Sequence, residues 1–120
     1  MKEPTKEQIR KFWEWIGWEF SPDGLYYRVN SNASGWGYVS QLPPTDLNNI
    51  FRYAVPKLLN WELSKSPSGY YVEIDTKASM MSNTRYSFRL AGDDPALVFL
   101  QVILDAIEFE STSPPLGERR

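Results

Sequence analysis

Ile9, Phe12, Trp13 and Ile16 fall at i, i+3, i+4 and i+7 along "KEQIRKFWEWIG", a spacing that lays one apolar stripe down a helix. Thr5 and Gln8 stand where a capping box would close the open N–H groups of its first turn. Gly17 suits the left-handed residue that ends it. The pattern then changes period. "LYYRV" (25–29) reads as a strand, and a shorter one is expected near Tyr38–Val39. A second helix is predicted from Thr45 or Asp46, with Leu47, Ile50, Phe51, Ala54 and Leu58 facing inward and a kink at Pro56. A strand over 61–65 precedes "YYVEIDTK", where Tyr70, Val72 and Ile74 alternate with Tyr71, Glu73 and Asp75. "RYSFRL" (85–90) alternates in the same way. "AGDDPALVFLQVILDAIEF" is the third helix, with an acidic start, Pro95 in its first turn and only one narrow polar stripe. It is therefore predicted to be the central helix.

Three helices and about five short strands predict an α+β fold: one antiparallel sheet of about five strands layered with three helices, an α/β/α sandwich. Residues 1–109 are expected to form a single domain, and 110–120, "ESTSPPLGERR", a disordered tail.

At this point the pattern resembles the phage ABA-sandwich family, small proteins of phages and prophages. The resemblance runs from about Leu42 to Ile107. It rests on "LPPTDLNNIFRYAVPKL", the "GYYVEI" strand and "DDPALVFLQVILDAI", and the Trp-rich first helix ending in Gly fits it too. It implies a layered α/β/α domain and a phage setting. It carries over no catalytic residue, because the family has no established enzymatic activity.

Composition narrows the chemistry. The chain has no Cys and no His, so thiol nucleophiles, Ser–His triads and the usual zinc sites are excluded. Net charge is −2, which gives no global field for long nucleic acid or an anionic membrane. No apolar run approaches the ~20 residues of a membrane helix, and a cytoplasmic location is expected. No cofactor, metal or catalytic residue is expected either.

Aromatic residues make up 15% of the chain, and they carry the binding candidates. Of the tryptophans in "WEWIGW", Trp13 lies on the apolar stripe and Trp18, just past Gly17, is predicted to fold back against it. Trp15 points about a third of a turn away and is free for a ligand. Trp36 lies in the loop "NSNASGWG". On the sheet, pairing the apolar sets of the two strands would set Ile74 against Tyr86 and Val72 against Phe88. The polar pairs would then be Tyr71–Arg89, Glu73–Ser87 and Asp75–Arg85, a charge ladder rather than an acid–base pair. Arginine beside tyrosine can grip a phosphate and stack a base.

The candidate ligand contacts are thus Trp15, Tyr27, Arg28, Trp36, Arg85 and Arg89, with Met80 and Met81 as an adaptable interaction loop. The expected function is a non-enzymatic binding protein. In the phage setting that the resemblance implies, its ligand would be a small nucleotide-like host defence signal. The alternative is a protein-interaction or homo-oligomeric assembly module.

Overall fold

The computed structural model describes residues 3–29, 35–76 and 88–112. Helix α1 (Lys6–Ile16) opens on the expected capping box: Gln8 N donates to Thr5 Oγ1, and Thr5 N donates to Gln8 Oε1. It closes on Gly17 at φ 114°. There Trp18 N donates to the Trp13 carbonyl and Gly17 N to that of Glu14. This is the six-to-one and five-to-two pairing that ends a helix with its last apolar residues in contact. The contact is the one expected, Trp18 stacked on Trp13 at 4.3 Å between ring centroids.

A small antiparallel sheet follows, made of β1 (Glu19–Phe20), β2 (Tyr26–Arg28) and β3 (Gly37–Tyr38), in that order. A 3-10 turn (Val39–Gln41) leads to α2 (Leu47–Asn49), capped by Asp46, whose side chain accepts from Asn49 N. The predicted second helix continues, but not as a simple kink. It widens into a π turn (Ile50–Ala54), with Val55 N reaching back to the Ile50 carbonyl, and then tightens into a 3-10 turn (Val55–Lys57) that contains Pro56. Proline lacks the N–H for an α bond and its ring would collide with the carbonyl four residues back. The wide turn ahead of it is where the helix adapts.

The second sheet is a meander of β4 (Asn60–Ser66), β5 (Gly69–Asp75) and β6 (Phe88–Gly92), all antiparallel. Gly69 is needed at its first turn. Its φ is +134°, and a Cβ there would lie 2.7 Å from the Gly92 carbonyl oxygen. The last helix, α3 (Pro95–Thr112), is capped by Asp94, whose Oδ1 accepts from Ala96 N and Leu97 N. It includes residues 110–112; the rest of the expected tail lies outside the described residues.

Two expectations are corrected here. The α+β class holds, but the single sheet of about five strands is two separate sheets of three, and the chain is not an α/β/α sandwich. The strands of the small sheet are only two or three residues long and are used up in pairing with one another. Pro43 and Pro44, just after β3, have no N–H with which to extend a ladder toward β4. The layering differs as well. One side of α3 packs on β5 and β6, burying Val72 and Ile74, while its other side meets α1, α2 and the π turn. Among the described residues no helix covers the opposite face of that sheet. The second correction is the register of β5 and β6, in which Ile74 faces Phe88, Glu73 faces Arg89 and Val72 faces Leu90. The offset is two residues from the one expected. Alternation decides which face a side chain takes, and a slip of two leaves every face unchanged.

The core is continuous through both halves. Phe12, Trp13, Ile50, Val72, Ile74, Phe99, Leu100 and Ile103 are almost wholly buried. As expected from its nearly all-round apolar surface, α3 is central.

Candidate functional site

A concave surface lies beside α1, between that helix, the small sheet and the chain from Val39 to Thr45. It encloses about 930 Å³, within the size range of small-ligand sites. Ile9, Phe20, Leu42, Pro43 and Pro44 give it apolar lining, and Tyr26 and Tyr38 aromatic lining. Lys6 and Arg10, one helical turn apart on α1, border it. A smaller hollow of about 270 Å³ toward the start of α3 shares Ile9 and Thr45 with it.

The strand pairing explains the two tyrosines. Tyr26 faces Tyr38 across β2 and β3, and their rings lie 5.2 Å apart. Tyr38 remains 58% exposed and Leu25 60%, so this lining is apolar surface left open to solvent. A local network of hydrogen bonds fixes its rim. Asp23 Oδ1 accepts from Ser21 Oγ at 2.5 Å and from Leu25 N at 3.0 Å, and Ser21 Oγ accepts from Tyr26 N. The bond from the Ser21 hydroxyl, then that from the Leu25 amide, holds the Asp23 carboxyl below its ordinary pKa. The Arg10 guanidinium lies 5.7 Å over the Phe20 ring. Among the described residues its one ion pair is a long one, 3.7 Å, with Glu14. Gly24, at φ +76° in the left-handed region that favours glycine, brings the turn beside the guanidinium: a Cβ at that position would be 3.8 Å from Arg10 Nη1, an ordinary contact.

The residues singled out from the sequence do not form one site. Arg28 and Trp36 do meet: the guanidinium lies 4.4 Å over the exposed indole, with Arg28 Nε 2.7 Å from Glu19 Oε1. Tyr27 is close by but packs inward, parallel to Trp18 at 5.4 Å. Gly37 lies against the other side of its ring, where a Cβ would be 3.0 Å from Tyr27 Cε1. Trp15 is half-buried against the core, and Lys57 covers it, with Nζ 5.1 Å over its ring while donating to the Trp15 carbonyl. Arg89 is on the other sheet, opposite Glu73. There Tyr71 donates its hydroxyl to Glu73 Oε1, a bond that raises the phenol's pKa; burial adds to the rise and Arg89 opposes it. Arg85, Met80 and Met81 lie outside the described residues.

The groove residues Arg10, Tyr26 and Tyr38 were not among those singled out. "LYY" carried a signal for them, since consecutive strand residues point to opposite faces. If Tyr27 packs inward, Tyr26 must point outward. Among the described residues no group of three acidic side chains could hold a metal ion, and no helix is long and apolar enough to cross a membrane. The groove offers aromatic faces, hydroxyls, two cations and one carboxylate, Glu7, a set suited to gripping and stacking a ligand. Compared with known protein families, curated proteins and solved structures, the chain finds no match in any of the three.

Proposed function

We propose that this chain is a binding protein that acts without turnover. Its groove beside α1 takes a small, nucleotide-like ligand with a flat apolar body and an anionic group. One observation carries the reading: a groove of about 930 Å³ is lined by both Tyr26 and Tyr38 and by the cations Lys6 and Arg10, which outnumber the one lining carboxylate, Glu7. Tyrosine rings accept a base or similar plane by stacking, worth ~1–3 kcal/mol per ring contact. The two cations suit a phosphate or carboxylate, and the planar guanidinium of Arg10 can meet it with two parallel hydrogen bonds.

The test is calorimetry against adenosine monophosphate, cyclic dinucleotides and cyclic ADP-ribose variants. At least one should bind, Tyr26→Ala should weaken it by roughly 5- to 150-fold, as the stacking energy implies, and Arg10→Ala should weaken the anionic compounds selectively. No heat from any of them, or variants that bind as the parent does, would overturn the reading.

A further inference from the structure

We infer that two copies of this chain join edge to edge through β4, pairing antiparallel about a two-fold axis at Leu63, so that two three-stranded sheets become one of six. This surface is remote in sequence from the groove residues and does not depend on what the groove holds.

β4 is an edge strand, with β5 on one side and no strand on the other among the described residues. Its register with β5 is unbroken from Asn60↔Asp75 to Ser66↔Gly69. The edge therefore has neither a bulge nor an internal proline to blunt a free ladder, and only Glu62 and Lys65 charge it. Six of its seven residues are exposed and Leu63 is half-buried. Trp61 keeps 45% of its surface open although its ring already meets Phe51, 4.9 Å between centroids, and Leu59, two residues before it, is 53% exposed.

Geometry and charge together choose the register. A two-fold axis perpendicular to the sheet keeps the α3 side of both copies on the same side. Facing residues must then come from the same face, which leaves one residue of β4 opposite itself. Centring on Glu62 sets two carboxylates against each other, and like charges directly opposite oppose pairing. Centring on Ser64 sets Leu63 against Lys65 and carries Trp61 past the end of the facing strand. Centring on Leu63 sets Leu63 against Leu63, Glu62 against Ser64, and Trp61 against Lys65 of the second copy, twice.

In that arrangement the Lys65 ammonium meets an indole face and its methylene stem covers exposed ring. Lys65 already lies over an aromatic ring within its own chain, 5.7 Å from the centre of Tyr70. The single cation that would otherwise guard this edge thereby becomes a contact.

Sedimentation velocity of the full chain should show a concentration-dependent dimer, and Lys65→Glu should weaken it at least tenfold while the melting temperature of the monomer is unchanged. The chain has no cysteine, so a single introduced thiol reports the register. With oxidised glutathione, Leu63→Cys should cross-link to its own copy across the axis, whereas Asn60→Cys, which would face Ser66, should not. A chain that stays monomeric at millimolar concentration overturns the inference, as does a dimer indifferent to Lys65→Glu. Equal cross-linking of the two thiols would overturn the register on which it rests.

Discussion

Single side chains decide whether the groove keeps its shape, and Asp23 is the clearest case. It is fully exposed, yet its carboxylate fixes the turn that presents Leu25 and Tyr26. Because its folded pKa is lowered, the folded chain binds the proton at lower pH than the unfolded chain does. Its contribution is complete above the ordinary value of 3.8 and is lost as pH falls from there through the folded value. Asp23→Ala should therefore melt below the parent at pH 5, with the gap narrowing by pH 3. An equal gap at both would mean the carboxylate does not act through its charge. Trp15 shows how a residue can mislead at this scale. Its place off the apolar stripe suggested a free ring, but Lys57, 42 positions away in sequence, comes back to cover it. No local pattern records that return.

At the scale of elements, caps and periods were legible in the sequence and partners were not. Thr5, Gly17 and Asp94 each do what their residue type and position announce, because a cap needs only its own turn. Asp94 gives a direct measure. Its Oδ1 accepts two backbone N–H groups at the start of the helix that both halves of the core share. Asp94→Ala should cost about 1 kcal/mol, read as a lower urea midpoint with an unchanged slope; no change would show the cap to be dispensable. By contrast, the two-residue offset between β5 and β6 and the division into two sheets were hidden. Alternation fixes the face of each side chain but neither the strand it pairs with nor the offset. β1 was missed for a related reason, since "EF" is too short to show a period. The groove was invisible for a third, being made from three segments, α1, the small sheet and the proline stretch, each ordinary by itself.

For the whole molecule, α3 is the shared structure. The larger sheet packs on one side of it and α1 with the second helical stretch on the other, so neither half has a complete core alone. Ile103 is wholly buried on this helix. Ile103→Ala should destabilise the chain by ~2–5 kcal/mol, the range for losing a large aliphatic side chain from a packed interior. Because the halves share one core, amide hydrogen exchange should report the same loss at Trp13 and at Val72. A loss confined to one of them would show that the halves open separately.

The stack of Trp13 on Trp18, 4.3 Å apart and 17° from parallel, makes the chain its own spectroscopic probe. Indoles held this close couple their excited states, so the far-ultraviolet circular dichroism should show a paired positive and negative band on top of the backbone signal, and Trp18→Phe should remove it. The two rings are joined through the turn at Gly17, and both also meet the Tyr53 ring edge-on, at 5.6 and 5.4 Å. When that turn opens they separate, and the paired band collapses while the helices still absorb as helices. Circular dichroism on the unlabelled protein can therefore follow the packing of the C-terminal end of α1 against the second helical stretch.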